Sequence, residues 1–318
     1  MIGAIAKFEI KYHLKSPVFY ILTGIFALLA FFAVASEGVQ LGGAIGNVHR
    51  NSPYVTMQML LVMSIFGVLS TTAFVANSVH RDFDIGIDPL FFTAPIKKYQ
   101  YLAGRFLGSY FVALLLFAGV TLAILLGSFA PWLDPQVLGP VSLKPYLFSL
   151  VFIIAPTLFL VGAVFFSIAA LTRSLMYTYA GNVGFIVAWA ISRALLRDIE
   201  NEKLSVLLDP FGFAAYAFTT RYWTVFEKNT RLLPLGGPFL LSRMLWIGIA
   251  LAVLALAFWK FNFAAATRKA QKKRTKVETE LPMQASFRLP QVQQTFGGAA
   301  SWRKYLAATK LEAGTILK

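Results

Sequence analysis

Cysteine is missing altogether from the 318 residues. That excludes a disulfide framework, a zinc ribbon, an iron–sulfur cluster and a thiol nucleophile, and it fits a bacterial membrane protein. Charge is scarce as well. Asp, Glu, Lys and Arg make up 14% of the chain, against roughly 25% in a soluble domain, so a water-soluble globular enzyme is excluded next. Acids are the scarcest of these, 14 against 29 Lys and Arg, which leaves a formal charge of +15. In a soluble protein that excess would point to nucleic acid; in a membrane protein it marks cytoplasmic loops. There is no Gly-x-x-x-x-Gly-Lys-Ser/Thr phosphate cradle, no Gly-x-Ser-x-Gly elbow, and no His-Glu-x-x-His pair among His13, His49 and His80. The expectation is therefore a protein that is not an enzyme and holds no cofactor of its own.

What the chain has in quantity is apolar surface, at 58% hydrophobic residues and a mean hydropathy of +0.67. A helix needs about 20 apolar residues to cross the hydrocarbon core. Six stretches meet this, 17–36, 57–77, 106–131, 146–171, 176–194 and 240–261. Ser16-Pro17 supplies a cap and a first-turn proline for the first, which is too long for a signal peptide and has no small-residue cleavage site after it. Thr178, Asn182 and Gly184 dilute the fifth. The predicted fold is all-α and integral to a membrane, with six transmembrane helices. Its predicted parts are an amphipathic helix over 1–16, a six-span domain over 17–263 and a basic tail over 264–318.

With the N-terminus inside, the cytoplasmic pieces 1–16, 78–105, 172–175 and 260–318 hold 20 Lys and Arg, against 9 for the other side even when outer helix ends are counted there. The positive-inside rule then places both termini in the cytoplasm, in a cell (inner) membrane. The tail carries 12 of the 20, so the orientation rests on it. Its run Arg268-Lys269-Ala270-Gln271-Lys272-Lys273-Arg274 has no interleaved aromatics, and reads as a stop-transfer anchor on anionic lipid rather than a nucleic-acid site. No Asp or Glu lies inside the six stretches and their one Lys, Lys260, sits at the end of the last, which argues against a transporter driven by its own ion gradient. Asn182 and Tyr179 are the main polar groups at mid-span, and for both an interhelical hydrogen bond is favoured over a substrate contact.

The segment between spans two and three is the most informative. Asp82, Asp84 and Asp88 form its acidic cluster, in a spacing that matches no metal motif. Asp88-Pro89 predicts a helix start and Pro95 its end. Leu90, Phe91 and Phe92 make an apolar knob on a charged loop, a protein contact or a rest on the lipid interface. Lys97 and Lys98 precede the helix that re-enters the membrane.

An acidic, glycine-containing stretch followed by Leu90-Phe91-Phe92-Thr93-Ala94-Pro95-Ile96, a basic residue, and Tyr101-Leu102-Ala103-Gly104-Arg105-Phe106-Leu107-Gly108 resembles the coupling segment of ABC-2 type permeases. These are the membrane subunits of ATP-driven exporters. The resemblance covers roughly residues 1–265. It implies a cytoplasmic coupling helix over 88–93, with Asp84, Asp88, Pro89, Leu90, Phe91, Phe92, Thr93, Pro95, Lys97 and Lys98 contacting a separate ATPase subunit that binds the ATP. It also implies a second six-span unit, an elbow helix at the N-terminus, and Gly104, Arg105 and Gly108 at the start of span three. Between spans five and six it implies short re-entrant helices capping the outer mouth, with Phe211, Phe213, Tyr222 and Trp223 as the outer gate.

Other features bear on these implications. Ile5, Phe8 and Tyr12 at helical spacing, beside Lys7, Lys11 and Lys15, predict an amphipathic helix lying in the interface, or simply an orientation signal for span one. Asp209-Pro210 predicts another helix start. The segment 222–231 with Pro234-Leu235 is similar to a branch of permeases fused to an aminopeptidase-like domain. Residues 310–318 align with 7–15 at four identical positions, either the start of a second repeat or a terminal helix; 277–300 reads as a linker. Two other function classes stay open, a membrane anchor for a larger peptidase-like protein and an integral-membrane lipid-modifying enzyme. Single-cysteine scanning tests the topology: cytoplasmic reagents are expected to label 78–105 and 264–318 but not 37–56, and labelling of Lys98→Cys from outside would overturn it.

Overall fold

The computed structural model describes residues 1–36, 47–84, 96–196, 202–261 and 307, with the backbone alone at 83 and 84. The chain divides into two units, Met1–Lys269 and Ala270–Lys318. Among the described residues of the first unit there are ten helices besides a short 3-10 turn at Pro135–Val137, and no strand. They are α1 (Ile2–Lys15), α2 (Pro17–Ala35), α3 (Pro53–Asp84), α4 (Lys98–Gly127), α5 (Lys144–Thr172), α6 (Leu175–Leu195), α7 (Glu202–Leu208), α8 (Phe213–Thr220), α9 (Val225–Thr230) and α10 (Gly237–Lys260). Six of them, α2, α3, α4, α5, α6 and α10, are long and apolar enough to cross a membrane. Multi-pass membrane architecture follows, as expected.

Boundaries differ from the expectation where charge begins. Helix α3 runs on to Asp84 and α4 starts at Lys98. His80, Arg81 and Asp82, assigned to a loop, are therefore helical, and Arg105 lies two turns inside α4. The expectation that these helices hold no acid holds for the apolar stretches but not for the whole helices. A hydropathy reading stops at the first charges, whereas the helix continues because those charges find partners.

Buried hydroxyls explain how polar residues persist inside apolar helices. Ser64 donates to the Leu61 carbonyl, Thr72 to Val68, Thr121 to Phe117, Thr157 to Ile153 and Ser167 to Ala163, at 2.6–2.8 Å. Each of these satisfies itself on its own helix. Asn182 reaches across instead, its Nδ2 donating to the Val68 carbonyl at 3.4 Å. That is the interhelical role expected for it, while Tyr179 is exposed. Helix α5 carries a π turn at Leu150–Ile154, after its α-helical first residues 144–149 and two residues before Pro156.

Helix α3 is the centre of the assembly, with 72% of its apolar window buried, and α6 the periphery, with 11%. Helices α1 and α2 both pack along α4, and α5 lies between α3 and α10. The approach of α1 to α4 depends on two glycines one turn apart. A Cβ at Gly104 would stand 2.7 Å from the Ile5 Cβ, and one at Gly108 2.7 Å from the Glu9 Cβ and 2.8 Å from the Ala6 carbonyl oxygen. Ile5 and Glu9 are also one turn apart, so the two helices run side by side in the same direction over that turn. The buried face of α1 therefore carries Glu9 and His13, while Phe8 and Tyr12 are exposed. The glycine groove of α4 accepts the turn of α1 that bears Glu9.

Replacing Gly108 with Val is expected to destabilise the protein by about 1–3 kcal/mol through overpacking, read as a lower thermal midpoint in detergent. Gly24→Ala, with nothing within 4 Å of the added carbon, should leave the midpoint within error of the parent.

Candidate functional site

Three helices converge on a buried ionic cluster at the end of the assembly that carries the 85–95 segment. Helix α1 contributes Glu9 and His13, α3 contributes Arg81 and Asp82, and α4 contributes Tyr101 and Arg105. Arg105 is the bridge. Its Nη1 donates to Glu9 Oε2 and its Nη2 to Asp82 Oδ2. Arg81 Nη2 donates to the same Glu9 oxygen at 3.1 Å, and Tyr101 Oη donates to Asp82 Oδ2 at 2.7 Å. His13 Nε2 lies 3.1 Å from Glu9 Oε1. Glu9, Asp82 and Arg105 are each at most 1% exposed. Aromatic faces complete the enclosure, with the Arg81 guanidinium 3.7 Å above the Tyr12 ring and that of Arg105 5.5 Å from Phe8.

Two carboxylates against two guanidiniums leave the cluster neutral. Burial by itself would raise the Glu9 carboxyl, but the bond from His13 and the charges of Arg105 and Arg81 outweigh it and hold the group below its ordinary value. Arg keeps its proton at all accessible pH, so Arg105 cannot pass protons between the two acids. What the arrangement does is fix position. A forked guanidinium holds two carboxylates at a set angle, which a lysine cannot.

Among the expected coupling residues, Asp84 ends α3, and Asp88, Pro89, Leu90, Phe91, Phe92, Thr93 and Pro95 lie outside the described residues. So do the basic run 268–274, the linker 277–300 and the repeat at 310–318. Lys97 and Lys98 are described and exposed. The Lys97 amide donates to the Gln100 side chain, capping α4. Lys98 Nζ donates to the Trp259 carbonyl at 3.3 Å, tying the start of α4 to the last turn of α10, where a cation also suits the helix dipole.

The other end is stitched by side chains on backbone. Asn51 exchanges two 2.7 Å bonds with Gly139, and Asn229 bonds the His49 amide and the Asn47 carbonyl. Asp209 accepts from the Phe211 and Ala214 amides and from Trp189 Nε1; it holds the turn ahead of α8, which starts at Phe213 with Gly212 as its N-cap rather than at the Asp-Pro pair. Arg243 on α10 is buried, donating to Thr157 Oγ1 and, at 3.5 Å, to the Pro210 carbonyl. Gly212, at φ +89°, lies so close that a Cβ there would meet the Arg243 Nη2. Of the expected gate residues, Phe211 and Phe213 come together around Trp189. Trp223 packs on the neighbouring apolar cluster with Phe213, and Tyr222 stands apart, 86% exposed.

Among the described residues no group of three or more His, Asp or Glu could hold a metal ion. No protein-family model matches this chain, and no curated protein matches it.

Sequence reasoning missed the cluster as a unit. Asp82 was read with Asp84 and Asp88, and Arg105 as a helix-start residue. The available signal was Glu9, the lone acid in the first 36 residues, set in a helix that is otherwise apolar or basic. Arg105→Met leaves Glu9 and Asp82 buried with their bridge removed and is expected to cost about 3–5 kcal/mol, read by chemical denaturation. A carboxyl held low stabilises fully above its unfolded pKa and loses that contribution as pH falls through its folded one. The stability deficit of Glu9→Gln should therefore be constant near neutral pH and shrink on acidification below the ordinary carboxylate range.

Proposed function

We propose that this chain is the membrane-spanning permease subunit of an ATP-driven exporter of the ABC-2 type. In this reading α1 is the elbow helix, residues 80–105 carry the coupling segment for a separate ATPase, and α7, α8 and α9 cap the outer mouth. The observation that carries it is the ionic cluster. A segment that receives force from a soluble motor must pass it to membrane helices without slack. Asp82 stands three residues before the 85–95 segment and Arg105 ten residues after it, and both are locked to each other and to α1. Replacing a buried ionic group with apolar residues is often neutral or stabilising, so its presence here is best accounted for by the geometry it imposes.

Two further features support the reading. The Phe91-Phe92 pair sits between charged stretches in a segment with no apolar run long enough to enter a membrane. Helices α2, α6 and α10 keep most of their apolar surface uncovered by this chain, which suits a second six-span unit, from another copy or a continuation, together with lipid.

The test is purification from detergent with this chain as bait. An ATPase subunit should co-purify, and Phe91→Ala with Phe92→Ala should release it while membrane insertion stays intact. Each phenylalanine is worth about 1.5–3 kcal/mol when buried on association. Unchanged ATPase association in the double variant removes the docking role, and a chain that moves cargo with no partner refutes the assignment.

A further inference from the structure

At the end opposite the ionic cluster, the connectors enclose a cavity of about 250 Å³. Three stretches wall it: the run into α3 at 49–53, the run into α5 at 139–145, and the link from α9 to α10 at 229–232. The paired bonds between Asn51 and Gly139, and the bond from the His49 amide to Asn229, tie these stretches together. The walls are thus set before any ligand arrives, which lowers the cost of binding one. A Cβ at Gly139 would stand 2.8 Å from the His49 Cδ2, so glycine there lets the imidazole close on the backbone at 139.

The lining carries positive charge and no negative charge. Lys144 and His49 are its titratable side chains, and among the described residues no acid lines it. Asp134 lines a neighbouring hollow that shares His49 and Asn229. Helices α3 and α5 both begin at the cavity, with Pro53 and Pro145 in their first turns, and their dipoles add positive potential. Two serines there act as acceptors, Ser52 Oγ for the Val55 amide at 3.3 Å and Ser142 Oγ for the Lys144 amide at 3.4 Å. A hydroxyl used in this way still has its own proton to give, and neither serine has an acceptor for it among the described residues. Ser52 is 3% exposed, so its unpaired proton is buried at the cavity wall. Lys144 Nζ also lacks a partner among the described residues.

We infer that this cavity is a binding site for a small oxyanion, the carboxylate or phosphate group of a water-soluble solute. Lys144 pairs with its charge, and the Ser52 and Ser142 hydroxyls and the His49 imidazole donate to its oxygens. A cation would be repelled, and a neutral solute would gain nothing from Lys144. The volume falls below the roughly 300 Å³ at which sites for drug-sized ligands begin, which excludes a peptide or an acyl chain. Ser142 and Lys144 at the rim are exposed, and the walls precede the apolar stretches that begin at 57 and 146, so the ligand enters from water. The inference needs the connectors alone, not the exporter reading, so the two stand or fall separately.

The experiment titrates inorganic phosphate against the full chain in dodecyl maltoside, with ionic strength held constant by chloride, and reads the phosphorus NMR line width. Both ends of the protein are open to solvent in detergent, so orientation does not enter. Broadening should fit one site per chain and be competed away by acetate, whose carboxylate uses the same donors. Lys144→Gln should weaken phosphate binding about tenfold, the usual weight of one charge-assisted hydrogen bond, and Ser52→Ala by a smaller factor. Lys7→Gln, at the other end, should leave it unchanged. Absence of saturable broadening, parent affinity in Lys144→Gln, or an equal loss in Lys7→Gln overturns the assignment. Competition by stoichiometric phosphatidylglycerol would assign the site to lipid headgroups and overturn it too. Lys144 is exposed, so its replacement should not move the thermal midpoint; should it do so, parent affinity in Ser142→Ala overturns the assignment equally.

Discussion

One forked side chain organises this end of the protein. Arg105 reaches from α4 to a carboxylate on α1 and another on α3, and three elements distant in sequence are held by that one group. Without it Glu9 would keep only Arg81 and His13, and Asp82 only Tyr101 and a longer contact to Arg81. Glu9 and Asp82 lie out of water, where an unpaired carboxylate would cost several kcal/mol, and the guanidinium alone would be equally unfavourable. The pairing is thus a mutual requirement, and the packing around it follows. The glycines of α4 let α1 come close enough for Glu9 to meet Arg105, the α3 helix extends far enough to deliver Asp82, and Tyr101 one turn before Arg105 supplies a further donor.

The opposite end uses different chemistry for a related purpose. There the connectors carry few buried charges and are joined by amide side chains that copy backbone hydrogen bonding, as Asn51 does with Gly139 and Asn229 with residues 47 and 49. Arg243 is the exception. It reaches from α10 to Thr157 on α5 and the Pro210 carbonyl, and the missing side chain at Gly212 leaves room for it. The chain thus has a rigid ionic joint at one end and a hydrogen-bonded cap at the other, with mostly self-satisfied apolar helices between them. In the exporter reading, the ionic joint faces the motor and the cap faces the outlet.

Helices that this chain leaves uncovered define what it needs from its surroundings. Helix α6 has the lowest hydropathy of the six spans and the smallest buried share, so its outward face is the least covered by its own chain. Lipid satisfies an apolar surface without further structure, and a second helical unit satisfies it with specificity.

The six spans were legible in the sequence because apolar runs of membrane length have few other meanings, and so was an interhelical hydrogen bond for Asn182, a polar side chain inside an apolar span. The helix ends were misplaced where polarity rises, since continuation past Asn77 and an early start at Lys98 depend on partners that hydropathy does not see. That α1 turns Glu9 inward was not legible in its spacing, and the close approach to Gly104 and Gly108 is what shows it. The sequence by itself determined which segments are apolar, where charge is withheld and which short motifs can cap a helix, because these depend on neighbours along the chain. Tertiary structure alone decided that Glu9, Asp82 and Arg105, up to 96 residues apart, become one neutral unit, because the free energy of a buried charge depends on the opposite charges packed against it.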